Sequence, residues 1–142
     1  MDIIAGKSLQ FADGSTKTAD DFLANKDVVC FYFSAHWCPP CRQFTPILKE
    51  FYEESAEAGL EVIFISSDRS AEDTVSYMKE SHGNWPALAH GSEPAQQLKQ
   101  RYGITGIPSL IVVNRKTGEM ITKEGRAAVQ SKGPGAVKDW GL

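Results

Sequence analysis

Apolar residues change their spacing several times along this chain, and each change predicts a different element. Val28-Val29-Cys30-Phe31-Tyr32-Phe33 is a continuous apolar run rich in β-forming residues, which predicts a central strand buried on both faces. A helical period follows over residues 39–58. Phe44, Ile47, Leu48 and Phe51 fall at i, i+3, i+4 and i+7 and form one apolar face, while Glu50, Glu53, Glu54 and Glu57 point largely elsewhere. Gly59 is placed to end that helix. Pro46 lies inside it, removes one backbone donor and meets the carbonyl of Arg42, which predicts a kink.

The remaining segments alternate in the same way. Residues 7–11 predict a short strand ending at the Asp13-Gly14 turn, and Thr18 with Asp21 has capping-box spacing for a short helix through Asn25. Residues 61–66 predict another apolar strand. Ser70-Ala71-Glu72-Asp73 opens a helix to about Glu80, and Ser92-Glu93-Pro94 opens a further one in which Ala95, Leu98 and Tyr102 share a face and Gly103 closes. Residues 110–113 predict a strand, Thr117-Gly118 a hairpin turn, residues 119–122 its partner and residues 126–132 a last helix. No clear element is predicted after Gly133, where Pro134, Gly135 and Trp140 fall. The order β-α-β-α-β-α, then a β-hairpin and a helix, implies a three-layer α/β/α sandwich with a central mixed sheet.

Composition narrows the classes of function. With 142 residues, 42% of them hydrophobic and 23% charged, the chain is expected to be one globular domain, residues 1–142, with a single core. A net charge of -3 with scattered Lys and Arg argues against nucleic-acid binding, and no stretch approaches the roughly 18 to 20 apolar residues of a membrane span. No secretory signal is visible, and three cysteines are too few for a secreted disulfide scaffold. The expectation is a cytoplasmic monomer, with the nucleus also compatible.

In that setting a close cysteine pair is catalytic or metal-binding. Cys38-Pro39-Pro40-Cys41 starts the long helix, with Pro39 suited to its first position. The Cys38 sulfur then lies beside free backbone N–H groups and the positive end of the helix, which favour thiolate over thiol. Cys41 should be more buried and less ionised. The mechanism that follows has Cys38 attacking a substrate disulfide and Cys41 resolving the mixed disulfide. A zinc site needs four ligands; a second cysteine pair is absent, and His36, His82 and His90 match no standard spacing, so no metal is expected. No flavin or nicotinamide motif is present, so no cofactor is expected, and an external dithiol or reductase must supply electrons. Cys30, inside the apolar strand, reads as a small core residue.

Trp37-Cys38-Pro39-Pro40-Cys41-Arg42 after one strand, with Gly106-Ile107-Pro108-Ser109 before another, resembles the thioredoxin superfamily. The resemblance implies the thioredoxin fold, a cis Pro108 facing the cysteine pair, and Ile107 offering backbone groups to an extended substrate. Ser34 through Arg42, Phe44-Thr45-Pro46, Ser66 through Ser70, Tyr102-Gly103-Ile104 and Val113 through Arg126 are similar to the tryparedoxin/nucleoredoxin branch. Met1-Asp2-Ile3 and Met78 through Gly83 with Trp85 resemble nucleoredoxin-like proteins in particular. By the same resemblance, Trp37, Asp68, Tyr77, Ile107, Pro108 and Arg126 form the substrate-binding surface. The plainer alternatives are a turn role for Asp68, core packing for Tyr77 and a solvated charge for Arg126.

Tyr32 stands where common thioredoxins carry a buried acid, so deprotonation of Cys41 needs another route, through water or Asp68. Prolines at both middle positions offer no N–H to the thiolate, which leaves the amides of Cys41 and Arg42 and places the pair in the reducing half of the known range. The leading expectation is a protein-disulfide reductase. The alternatives are a redox-regulated binding module of nucleoredoxin type and a tryparedoxin passing electrons from trypanothione to peroxidases.

Overall fold

The strand with the longest apolar run takes the middle of the sheet. In a computed structural model, which describes residues 3–142, all seven residues of this strand, Val28–Ser34, are buried. Met1 and Asp2 of the N-terminal resemblance lie outside the described residues. Alternate side chains of the strand enter two cores. Val28, Cys30 and Tyr32 pack with Phe44, Leu48 and Phe51, whereas Val29, Phe31 and Phe33 pack with Ala95 and Leu98. Burial on both faces is the reason this strand shows no polar alternation.

In chain order the elements are β1 (Ser8–Gln10), β2 (Thr16–Thr18), α1 (Ala19–Phe22), β3 (Val28–Ser34), α2 (Pro39–Ser55), β4 (Leu60–Ser66) and α3 (Ala71–Ser81). They continue with β5 (Ala87–Leu88), α4 (Glu93–Arg101), β6 (Ser109–Asn114), β7 (Met120–Thr122), α5 (Gly125–Lys132) and α6 (Ala136–Asp139). The sheet runs β2-β1-β5-β4-β3-β6-β7. β3 pairs parallel with β4, and β4 with β5, while the other neighbours are antiparallel. This is the expected central mixed sheet between helical layers.

Two strands and part of one helix face depart from expectation. β2 is exposed throughout, so it has no apolar period to read; the Asp13-Gly14 turn folds it back onto β1. β5 is only two residues long. Ile47, assigned above to the buried face of α2, is 42% exposed. The buried face instead runs through Cys41, Phe44, Thr45, Leu48, Phe51 and Ser55, which turns it away from Ile47 and admits three polar or thiol side chains.

The caps explain most boundaries. Thr18 Oγ1 accepts the Asp21 N–H at 3.2 Å, but α1 ends at Phe22, short of Asn25. Ser70 Oγ accepts the Asp73 N–H at 3.1 Å, as its spacing predicts. Ser92 opens α4 without a side-chain cap bond. α2 continues through Pro46 to Ser55 and tightens into a 3₁₀ turn at Ala56–Ala58, and Gly59 ends it at φ 97°. After Gly133 the chain forms a 3₁₀ turn and α6, which seat Ala136 and Trp140 in the core, Trp140 edge-on to Phe51 at 5.6 Å. Among the described residues, no helix is long and apolar enough to cross a membrane.

Candidate active site

The loop between β3 and α2 places the cysteine pair. The Cys38 N–H donates to the Ala35 carbonyl at 3.3 Å, and the Cys38 carbonyl accepts the Arg42 N–H at 3.1 Å, so the loop closes directly into the first turn of α2. Pro39 and Pro40 occupy the two opening helical positions. The first helical N–H is therefore that of Cys41, and it points at Cys38 Sγ at 3.4 Å. Arg42 was expected to offer its amide to the sulfur as well; its N–H is already bound to the Cys38 carbonyl.

Opposite the pair, the Ile107–Pro108 peptide bond is cis and the Ile107 carbonyl oxygen lies 3.9 Å from Cys38 Sγ. Ile107 also packs against the cluster of Ala35, Cys38 and Cys41. Cys38 retains 5% exposure and Cys41 none. Burial, helped by the adjacent Cys38, pushes the Cys41 thiol up to about 11, while hydrogen bonds from the Ser34 hydroxyl and the Ala35 backbone pull the other way. All three cysteines are unpaired, and burial pushes Cys30 far above the ordinary thiol range.

Two grooves flank Cys38. One is lined by His36, Trp37, Arg42, Asp68, Arg69 and Asp73. Trp37 is 54% exposed there, and its indole N–H donates to the Ser67 carbonyl at 3.0 Å. The other groove contains Ile107, Pro108, Lys123 and Arg126. The Arg126 guanidinium carbon also lies 6.0 Å from the centre of the Phe44 ring.

Asp68 and Tyr77 differ from the expected surface. Asp68 Oδ1 accepts the His36 N–H and Oδ2 accepts the Ser66 hydroxyl, both at 2.7 Å, so the carboxylate braces the loop that leads to Cys38. Tyr77 is fully buried and offers no face to a substrate. Its hydroxyl instead meets Ser34 Oγ at 2.8 Å and Thr45 Oγ1 at 2.5 Å. Thr45 Oγ1 in turn meets Tyr32 Oη at 2.6 Å and donates to the Cys41 carbonyl at 2.8 Å. The Tyr77 ring is stacked on His36 at 5.0 Å and 13°, and His36 Nε2 meets Glu80 Oε2 at 2.7 Å.

No role was assigned to Ser34, Thr45 or the His36–Glu80 pair from sequence. Ser34 directly follows the apolar run and Thr45 lies off the apolar face read from the helical period, so neither left a signal in the pattern.

A thioredoxin-like family profile matches residues 25–120, and the chain belongs to that family. It is 52% identical to a thioredoxin from Wuchereria bancrofti whose structure superposes with a TM-score of 0.86, over 96% of this chain and 95% of that one. Tryparedoxin of Trypanosoma brucei brucei is 40% identical over 79% of this chain and 78% of its own length. Nucleoredoxin of Mus musculus is 48% identical over 69% of this chain. These relatives place it in the tryparedoxin/nucleoredoxin branch. The chain spans only 22% of the mouse nucleoredoxin and 30% of that of Danio rerio.

Proposed function

We propose that the chain is a thiol–disulfide oxidoreductase acting as a protein-disulfide reductase, with Cys38 as nucleophile and Cys41 as resolving thiol. The observation that carries this reading is the Cys41 N–H aimed at Cys38 Sγ at the start of α2, with the Ile107 carbonyl on the other side of that sulfur. An N–H donor and a helix N-terminus are the environment a sulfur anion needs. Cys38 displaces one sulfur of a substrate disulfide, and that sulfur leaves with the electron pair and a proton. Cys41 then attacks Cys38 Sγ, releases the second substrate thiol and closes the Cys38–Cys41 disulfide. An external dithiol returns two electrons and two protons. A reducing compartment such as the cytoplasm suits this cycle.

The substrate would lie along Trp37, Ile107 and Pro108, with Arg126 in the adjoining groove. Asp68 and Tyr77 act from behind that surface. Reduction of insulin by dithiothreitol tests the assignment: wild-type protein should accelerate it, and Cys38→Ser should abolish the acceleration. Equal rates for the two proteins would sink the reading.

A tryparedoxin role is the second reading, favoured by the match over most of both chains. Comparing trypanothione, glutathione and a thioredoxin reductase system as electron donors separates the two.

A further inference from the structure

Cys41 must ionise in a place that disfavours ions. It is fully buried, and burial is the main reason its thiol stands high. What surrounds it is a run of hydroxyls from three elements. Ser34 ends β3, Thr45 lies one turn beyond Cys41 on α2, and Tyr77 reaches in from α3, with Tyr32 of β3 behind Thr45. The Ser34 hydroxyl acts on the Cys41 thiol, drawing it down against the effect of burial. The chain continues from Ser34 to Tyr77 at 2.8 Å, from Tyr77 to Thr45 at 2.5 Å and from Thr45 to Tyr32 at 2.6 Å.

A count of protons shows what this chain can do. A hydroxyl both donates and accepts, so a line of them has two directions. With Cys41 as thiol, the S–H donates to Ser34, Ser34 to Tyr77, Tyr77 to Thr45, and Thr45 to the Cys41 carbonyl at 2.8 Å, while Tyr32 donates to Thr45. Each contact then holds one proton. With Cys41 as thiolate, Ser34 turns to the sulfur, Tyr77 turns to Ser34 and Thr45 turns to Tyr77. Tyr32 keeps Thr45 or turns to the Cys41 carbonyl, 3.5 Å away. The four hydroxyls keep their protons and only change direction, while the Cys41 proton passes to the departing substrate sulfur. Burial raises both tyrosines, so they serve as neutral donors rather than as bases.

The Tyr77 ring is held for this role. His36 stacks on it at 5.0 Å, His82 stands edge-on at 4.3 Å and Phe64 edge-on at 5.7 Å. A donor whose position is already determined costs little reorganisation when charge develops beside it.

We propose that the buried chain Ser34–Tyr77–Thr45–Tyr32 reverses its hydrogen bonds to stabilise the Cys41 thiolate during the resolving step, with Ser34 touching the sulfur and Tyr77 and Thr45 positioning it. In that step the Cys41–Cys38 S–S bond forms and the Cys38–substrate S–S bond breaks. The electron pair goes to the substrate sulfur, and the proton lost by Cys41 ends there, so no further acid or base is consumed. The titratable groups facing the chain are Cys38, Tyr32, Tyr77 and His82, with His36 and Glu80 at its outer end. The proposal rests on reading Cys41 as the resolving thiol.

The test uses 5,5′-dithiobis(2-nitrobenzoate), which releases one thionitrobenzoate when Cys38 attacks and a second when Cys41 resolves. Losing a hydrogen bond to a charged sulfur raises the thiol by about one to two pH units. The more basic thiolate is a better nucleophile, with a Brønsted slope near 0.5, which recovers about half of that on a logarithmic scale. Ser34→Ala should therefore slow the second release about three- to tenfold below the Cys41 titration midpoint, and leave the first release unchanged. Tyr77→Phe should act in the same direction by a smaller factor of about two to three, and Ser34→Thr should restore the wild-type rate.

Second-release rates equal to wild type in both Ser34→Ala and Tyr77→Phe overturn the proposal and leave the reductase reading standing. A wild-type protein that releases only the first equivalent overturns both. Equal slowing of the two releases would mark a general structural defect and would also overturn it.

Discussion

Acid should weaken this protein through His82, a buried imidazole packed against Tyr77. The imidazole is buried among the rings of Tyr77 at 4.3 Å, Phe64 at 4.5 Å and Trp85 at 5.3 Å. The Trp85 indole N–H donates to His82 Nδ1 at 2.9 Å, so Nδ1 carries a lone pair and the ring proton sits on Nε2. A second proton on Nδ1 would break that bond and leave a cation among aromatic rings. Burial, with His36 adding like-charge repulsion, depresses the His82 pKa from 6.5 to about 3. The unfolded chain binds this proton below about pH 6.5 and the folded chain does not, so the contribution is whole above pH 6.5 and is lost as the pH falls from there toward 3. At pH 5 the loss is about 1.5 units at roughly 1.4 kcal/mol each, or about 2 kcal/mol. Urea unfolding at pH 7 and pH 5 measures it, as a midpoint shift of about 1 M. His82→Gln keeps an oxygen for the indole N–H and does not titrate, so its loss between the two pH values should be about 2 kcal/mol smaller than that of wild type. Equal losses in the two proteins would refute the reasoning.

Cys30 lies fully buried between Val62 and Val112 on the neighbouring strands. Cys30→Ala should leave insulin reduction unchanged and lower stability by about 1–2 kcal/mol in urea unfolding. Asp68→Ala removes the acceptor of both the His36 N–H and the Ser66 hydroxyl, and should cost about 2–4 kcal/mol by calorimetry. Reductase turnover should fall with it, because the His36 amide holds the loop before Cys38. At Gly125 an added Cβ would lie 2.7 Å from the Leu110 carbonyl oxygen and 3.0 Å from Val112 Cγ2. Gly125→Ala should therefore push α5 off β6, cost about 1–3 kcal/mol and raise the KM for protein disulfides by moving Arg126.

The layers were legible because both sheet faces are covered. β3 and β4 are apolar at nearly every position, and α3 announces its start through a cap made by a single side chain, Ser70. β2 was not legible, since Thr16, Lys17 and Thr18 are exposed and owe their strand geometry to pairing with β1 rather than to any pattern of their own. Ile47 misled for a different reason. Helical spacing tells which residues share a face but not how wide the buried stripe is. Here the stripe is centred on Cys41, Thr45 and Leu48, because the helix must turn its cysteine toward β3.

The same contrast runs through the site. The cysteine pair could be read locally, because four consecutive residues hold both sulfurs and the helix start that separates their environments. Ile107, Pro108 and Arg126 come from far along the chain and could be placed only through a resemblance. Ser34, Thr45 and Tyr77 belong to three elements and are common residue types, so no motif joins them. Ser34 only follows an apolar run, and Thr45 joins the buried face of its helix only once the stripe is seen to turn toward Cys41. An unpartnered buried hydroxyl costs about 1–3 kcal/mol, so such residues must find each other in the folded protein. Tyr32 then takes on a different meaning. Standing where a related protein holds an acid, it reads in isolation as the loss of a proton acceptor. Beside Thr45 at 2.6 Å, and through it to Tyr77 and Ser34, it is one end of a hydroxyl line that is tied to Cys41 through the Thr45 bond to its carbonyl. A carboxylate at that position would bring a second negative charge next to the thiolate it is meant to help form, whereas a neutral hydroxyl line supplies a donor and no repulsion.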